Sequence, residues 1–132
     1  MLGLLPFNRK EIFILALSWT HLIFYGCCIP GTEIPEVRFD FIIQLDKLVH
    51  FIFFLIFFLL WSGVRRYTYL YGLLIILIAC CYGLFIEFFQ FNYVDGRGFE
   101  LADLVADGLG AFMGFLIRPA IAPYIIRNID NE

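Results

Sequence analysis

Four long apolar stretches dominate the pattern of the chain, at residues 11–29, 47–64, 69–91 and 101–118. Each approaches or exceeds the roughly 17–20 residues that a helix needs to cross a hydrocarbon layer about 30 Å thick. None of them alternates apolar and polar positions, as the strands of a membrane barrel would. The pattern therefore predicts an all-α, polytopic membrane protein: a single domain, residues 1–132, with four transmembrane helices in a compact bundle.

The first apolar stretch also has an alternative interpretation, a cleaved signal peptide. Arg9 and Lys10 precede it, as basic residues precede the core of a signal peptide. The apolar core is too long for a signal peptide, however, and no cleavage site of small residues follows it. We therefore predict a transmembrane helix here.

Composition and charge placement support a membrane protein and predict its orientation. The chain is 62% hydrophobic and 16% charged, with a mean hydropathy of +0.88, which is too apolar for an ordinary soluble domain. If four helices alternate in direction, one side receives mainly basic residues and the other receives most of the acids. Basic residues concentrate in cytoplasmic loops. Both termini are therefore predicted to be cytoplasmic, with the connections around residues 30–46 and 92–100 facing outward. The basic side carries Arg9, Lys10, Arg65, Arg66, Arg118 and Arg127.

Three pairs of polar side chains interrupt the apolar stretches near the side that is predicted to face outward. They are Asp46 and His50, Glu87 and Gln90, and Asp103 and Asp107. The spacing within each pair is three or four residues, so each pair occupies one helix face. At 1.5 Å per residue, His50, Glu87 and Asp107 lie about 6 Å below the ends of their helices. Because a charge facing lipid is penalised, we expect these faces to turn inward, where Glu87 meets His50 and the aspartates of the fourth helix.

These residue types favour a pocket for a mixed polar head group. Lys47 and Arg97 at the rim would bind a phosphate, and the carboxylates below would bind hydroxyls or an amine. The candidate catalytic residues are His50, Glu87 and Asp103. The candidate binding residues are Asp46, Lys47, Gln90, Arg97 and Asp107.

The polar residues admit two other interpretations. Polar side chains in a membrane often only join helices. Burying this many ionisable groups at one depth costs more free energy than such helix contacts contribute, which favours a functional pocket. A divalent metal is a second alternative, since His50 with Glu87 and an aspartate would form a mixed ligand set. The spacing does not specify that set, so no metal and no other cofactor is predicted.

A few further residues attract attention. Gly110 and Gly114 form a GxxxG spacing, which predicts close helix packing within the bundle or between protomers. His21 lies near the middle of the first helix, where we expect it to be hydrogen-bonded inside the bundle, with a proton relay as the alternative. Cys28 approaches the outward side near His50, which permits a thiol–imidazole pair.

The ordered polar motifs resemble those of the VanZ-like membrane protein family. They are "DKLVHF" with Asp46, Lys47 and His50, "EFFQ" with Glu87 and Gln90, then Arg97, then "DLVADGLGAFMG". The resemblance runs from about residue 36 to residue 118. The family is named for an accessory protein of glycopeptide resistance that lowers susceptibility to teicoplanin. The resemblance implies a multi-pass protein of the bacterial cytoplasmic (inner) membrane with a role in the cell envelope. One departure is Asp107, where the family pattern usually has Asn.

Two classes of function follow from these observations. In the first, the protein binds or acts on a membrane lipid or lipid-linked envelope precursor at the outer membrane boundary, in a setting linked to antibiotic resistance. In the second, it is a small accessory or assembly subunit of a larger membrane complex, and its polar cluster is purely structural. A transporter is a weaker third option, because only Ser18, Thr20 and His21 offer polar groups deeper in the layer. No nucleic-acid partner is predicted, and a homo-oligomer or a larger membrane complex remains open.

Overall fold

Four α-helices make up most of the described chain. The computed structural model of the protein describes residues 7–30 and 39–125, with the side chains of residues 7–30 and 45–124. The helices are α1 (Arg9–Cys27), α2 (Phe39–Ser62), α3 (Tyr69–Tyr93) and α4 (Leu101–Ile125). The all-helical fold with four helices confirms the predicted fold class at that level.

Local sequence signals determine where two of the helices begin. The side chain of Asn8 accepts hydrogen bonds from the backbone N–H groups of Lys10 and Glu11, both at 3.0 Å, and Glu11 Oε2 accepts from Asn8 N at 2.9 Å. This reciprocal pattern is a capping box. At the start of α3, the side chain of Thr68 caps the helix by accepting a hydrogen bond from Tyr71 N at 3.1 Å. Both caps satisfy backbone donors that have no partner within the helix.

Two helix ends differ from the predicted ones by more than two residues. α2 begins at Phe39, well before the predicted position 47. α4 continues past the predicted end at 118 to Ile125, with Pro119 and Pro123 inside it. A proline inside a helix removes one backbone donor and usually kinks or ends the helix, but α4 continues through both prolines. The hydropathy pattern predicts where an apolar run ends, but both helices extend beyond their apolar runs.

The helices alternate in direction, so their ends collect at two ends of the bundle. At one end, Phe13 on α1 stacks edge-on against Trp61 on α2 at 6.1 Å between ring centroids, and Arg118 Nε on α4 donates to Ser62 Oγ at 3.1 Å. We call this the arginine end, after Arg9, Arg65, Arg66 and Arg118. The opposite end is called the carboxylate end, after Asp46, Glu87, Glu100, Asp103 and Asp107.

α2 and α4 run in the same direction and form the tightest contact in the bundle. A Cβ atom added at Gly110 would overlap the backbone oxygen of Phe51, and one at Gly114 would lie 2.9 Å from the backbone oxygen of Leu55. The two glycines therefore lie where the α4 backbone meets the α2 backbone directly. Their absent side chains set the separation and the register of the two helices.

Three of the helices are long and apolar enough to cross a membrane, within the described residues. The candidate spans are Leu45–Ser62, Tyr69–Tyr93 and Leu101–Tyr124. α1 is not among them, because its first turn carries Arg9, Lys10 and Glu11. Large apolar side chains face outward on α3, such as Leu70 at 78% and Phe88 at 61% exposure. A soluble monomer rarely exposes such a surface, and a lipid environment would cover it.

Candidate functional site

The centre of the carboxylate end is a buried pair from α2 and α4. His50 Nδ1 lies 2.9 Å from Asp107 Oδ1, and the two side chains are 2% and 0% exposed. Asp46 and Asp103 lie one turn before them on the same faces. Because α2 and α4 are parallel and both pairs have a spacing of four residues, the two pairs meet level by level.

The rim of this cluster is formed by two cations that hold carboxylates. Lys47 Nζ donates to Glu100 Oε2 at 2.9 Å and to Asp103 Oδ1 at 3.2 Å. Arg97, in the connection between α3 and α4, donates to Asp46 Oδ2 at 3.2 Å and to the backbone oxygen of Ile29 at 3.2 Å. The rim is partly open, since the side chain of Glu100 is 50% exposed and that of Lys47 is 29% exposed.

α3 contributes Glu87 and Gln90, which are both buried. Glu87 Oε2 accepts from the backbone N–H of Glu100 at 2.8 Å, so Glu87 ties the end of α3 to the residue before α4. Gln90 Nε2 donates to the backbone oxygen of Cys27 and ties α3 to α1. Glu87 lies within electrostatic range of His50, Asp103 and Asp107, as expected, but among the described residues its hydrogen bond goes to the backbone of Glu100 and not to these side chains.

Two buried carboxylate oxygens have no hydrogen-bond partner among the described residues. They are Glu87 Oε1 and Asp107 Oδ2. Asp107 Oδ2 packs against the backbone of α3 at Gly83, where a Cβ atom would overlap it. Buried polar atoms are nearly always paired, so these two oxygens are free acceptors for a water or for a donor group of a ligand.

A thiol also reaches the histidine, but from a different cysteine than expected. Cys27 Sγ lies 3.7 Å from His50 Nε2, and Cys27 is buried. Cys28, whose position in the sequence permits such a pair, is only half-buried. Adjacent residues on a helix point about 100° apart, so only one of the two faces α2.

His21 does not lie inside the bundle as expected. It is exposed, and its Nδ1 lies 2.8 Å from the backbone oxygen of Leu17 on its own helix. Thr20 is already engaged, since its hydroxyl donates to Ala16 O at 2.8 Å and accepts from Trp61 Nε1 at 3.1 Å. These contacts give no support to a proton relay along α1.

Charge is unbalanced at the carboxylate end. Among the residues whose side chains the structure describes, two fixed cations of the cluster, Lys47 and Arg97, face five carboxylates, which are Asp46, Glu87, Glu100, Asp103 and Asp107. Even with a protonated His50 the cluster keeps an excess of negative charge. Three of its residues, Asp46, His50 and Asp103, each offer one ligand atom within 4.8 Å of the others. The metal set weighed from the sequence placed Glu87 in that group, and the structure has Asp46 there instead.

Sequence reasoning missed three residues of the cluster: Cys27, Gly83 and Glu100. A signal for Glu100 was present, because Glu100, Asp103 and Asp107 follow the i, i+3, i+7 spacing of one helix face. No sequence signal distinguishes Cys27 from Cys28. Gly83 becomes noticeable only once Asp107 is known to lie against it.

The helices with outward-facing apolar side chains and a charged cluster at one end define a small helical membrane protein. The family model described as VanZ/LLP1 matches residues 2–122. The chain belongs to the VanZ/LLP1 family, which confirms the resemblance carried by its polar motifs. No curated protein and no solved structure matches the chain significantly.

Proposed function

We propose that the protein binds, and acts on, the head group of a membrane lipid or lipid-linked cell-envelope precursor at its carboxylate end. The observation that carries the proposal is the layered arrangement of the cluster. Lys47 and Arg97 lie at a partly exposed rim, and His50, Glu87 and Asp107 lie buried beneath it. A phosphate suits the rim, and hydroxyl or amine donors suit unpaired carboxylate oxygens.

The buried pair of His50 and Asp107 gives the site a group that can move a proton. A carboxylate on one imidazole nitrogen fixes the tautomer and orientation of the ring, as it does for many general bases. The contact of 2.9 Å between the two side chains has that geometry. His50 would then receive a proton from, or return one to, a hydroxyl of the bound head group. Glu87 and Asp103 are the other candidate catalytic residues.

The proposal includes a topology with four crossings in the bacterial cytoplasmic membrane. α1 packs along α2 from Phe13 beside Trp61 to Cys27 beside His50. Because it accompanies a candidate span from end to end, α1 traverses the same depth. Its 19 residues correspond to about 28 Å, close to the hydrocarbon thickness. The arginine end faces the cytoplasm under the positive-inside rule, so the carboxylate end faces outward.

An outward-facing cluster places the head group on the side where envelope precursors are used. We therefore extend the proposal to glycopeptide susceptibility, which the family resemblance implies.

Lipid co-purification tests the proposal. The parent protein, His50→Ala and the control Asp95→Asn would be purified in the same mild detergent and their bound lipids identified by mass spectrometry. Asp95 is an exposed carboxylate outside the cluster. We expect one class of phosphate-bearing lipid with the parent and the control, and its loss from His50→Ala. Equal lipid content in all three proteins would contradict the proposal.

A second candidate function is that of an assembly subunit. Its supporting observation is that the cluster's contacts join different elements: Gln90 joins α3 to α1, Glu87 joins α3 to Glu100, and Lys47 joins α2 to α4. If these contacts only hold the helices together, their loss should unfold the protein and should not change a lipid selectively. The melting temperatures of the same variants separate the two functions.

A further inference from the structure

We propose that Asp46, His50 and Asp103 bind one divalent transition-metal cation, Mn²⁺ or Zn²⁺, at the carboxylate end. One carboxylate oxygen from each aspartate and one ring nitrogen of His50 lie within 4.8 Å of one another. Ligands about 2.0–2.2 Å from a shared zinc ion are separated by roughly 3–4 Å. Small side-chain rotations therefore suffice to close the three atoms around one ion.

Asp46 and Asp103 each have one carboxylate oxygen that is free to bind the cation. Asp46 uses Oδ2 for Arg97, and Asp103 uses Oδ1 for Lys47. The second oxygen of each carboxylate accepts no hydrogen bond from the residues that the structure describes. The ion pairs at the rim would then act as outer contacts that hold the ligand carboxylates in place, as they do around many metal ions.

The charge of the cluster calls for a cation. Among the residues whose side chains the structure describes, the five carboxylates of the cluster face two fixed cations, and three of these carboxylates, Glu87, Asp103 and Asp107, are buried. Uncompensated charge is costly in a poorly hydrated site. One divalent ion would neutralise most of the excess negative charge. Contacts that only join the helices would leave that charge uncompensated.

The buried carboxylate of Glu87 is an independent sign of a missing positive partner. It is 0% exposed, and its Oε1 has no hydrogen-bond partner among the described residues. His50 and Asp103 lie within electrostatic range of it, so its free oxygen shares their environment. A cation on the three ligands would attract this oxygen directly or through a bound water.

The donor set selects the class of metal. Imidazole nitrogen favours transition metals, whereas Mg²⁺ and Ca²⁺ prefer oxygen ligands alone. Two carboxylates with one histidine therefore fit Mn²⁺ or Zn²⁺ with positions left for water or for an external ligand. The inference goes beyond head-group binding and replaces the proton-transfer role of His50, since a histidine bound to the cation no longer accepts a proton. The cation alone is the probe, and lipid binding is measured separately.

Metal titration of the full-length protein tests this site. Detergent-purified protein would be treated with chelator, dialysed, and titrated with Mn²⁺ and separately with Zn²⁺ by isothermal titration calorimetry. We expect one ion per chain. Asp46→Asn and Asp103→Asn should each weaken binding by about tenfold or more, since removing even an outer-shell partner typically costs 10–100-fold. The matched control Asp95→Asn should bind as the parent does.

A spectroscopic readout identifies the histidine ligand. Bound Mn²⁺ should show coupling to a directly coordinated nitrogen in pulsed electron paramagnetic resonance, and His50→Gln should abolish it. If Asp103→Asn fails to fold, the titration relies on Asp46→Asn. Asp46 is partly exposed, so its substitution should disturb the fold less. The proposal is overturned if the chelated parent takes up no stoichiometric ion, if both asparagine variants bind as tightly as the parent, or if bound Mn²⁺ shows no nitrogen coupling.

Discussion

Asp107 Oδ1 on α4 lies 2.9 Å from His50 Nδ1 on α2, and neither side chain has appreciable contact with solvent. The pair lies directly beside the α2–α4 backbone contact at Gly110, so its geometry is held by the packing of two helices. The second carboxylate oxygen of Asp107, Oδ2, has no hydrogen-bond partner among the described residues. The carboxylate therefore contributes one good contact and carries one uncompensated atom.

The first prediction separates the contact of Asp107 from its charge. Asp107→Asn keeps an oxygen for the His50 N–H and removes the buried charge, so the melting temperature should stay the same or rise. Asp107→Ala leaves His50 Nδ1 without a partner and should destabilise the fold by about 1–3 kcal/mol. Thermal unfolding in one detergent measures both. An asparagine variant as unstable as the alanine variant would mean that the charged pair itself stabilises the protein.

Much of the fold follows from local sequence properties. The runs that form α2, α3 and α4 are long and apolar, and such length and hydropathy require no knowledge of tertiary contacts. The spacing of four residues also placed His50 on one face with Asp46, and Asp107 on one face with Asp103. Those features depend only on helix geometry.

The hydrogen-bond partner of each polar group could not be predicted from local sequence properties. Glu87 bonds the backbone of Glu100, and that contact depends on the path of the connection around Gly96, whose φ of 73° turns the chain back toward α3. The choice of Cys27 over Cys28 depends on the rotation of α1 against α2. Such rotations are set by packing between helices, which a single sequence does not display.

The second prediction uses two glycines of the same helix. Gly110→Ala would push a Cβ atom into the backbone oxygen of Phe51 and should destabilise the protein by about 1–3 kcal/mol. Gly108 is the matched control, because its Cβ atom would meet only Cys80 Sγ at 3.6 Å, an ordinary contact. Gly108→Ala should gain about 0.5–1 kcal/mol from helix propensity. Equal melting temperatures for the two variants would show that α4 packs by another face.

The third prediction concerns topology and tests whether α1 crosses the membrane. Reporter fusions at Pro30 and Gly96 should read extracytoplasmic, and fusions at Asn8 and Arg66 should read cytoplasmic. Opposite readings at Asn8 and Pro30 follow from the alignment of α1 along the whole of α2. The same reading at both positions would leave three crossings, and an outward Arg66 would place the carboxylate end inside the cell.

The fourth prediction concerns Glu87, whose buried charge has no compensating ion pair among the described residues. Glu87→Gln is nearly isosteric, and its carbonyl oxygen can still accept from Glu100 N. Removing a buried charge while keeping that bond should leave the melting temperature unchanged or raise it. If the charge serves a bound head group, the same variant should lose the envelope phenotype, measured as a change in glycopeptide susceptibility at equal protein level.

Glu87→Ala and Asp95→Asn complete the test of Glu87. Glu87→Ala removes the bond to Glu100 together with the charge, so it should lower both stability and activity. Asp95→Asn changes an exposed carboxylate and should alter neither. Only the glutamine variant separates the two roles, because it keeps the shape and the hydrogen bond of Glu87 and removes its charge. A glutamine protein that is stable and fully active would reject the head-group site and favour an assembly subunit, since hydrogen bonding alone would then explain why a buried carboxylate lies between α3 and α4.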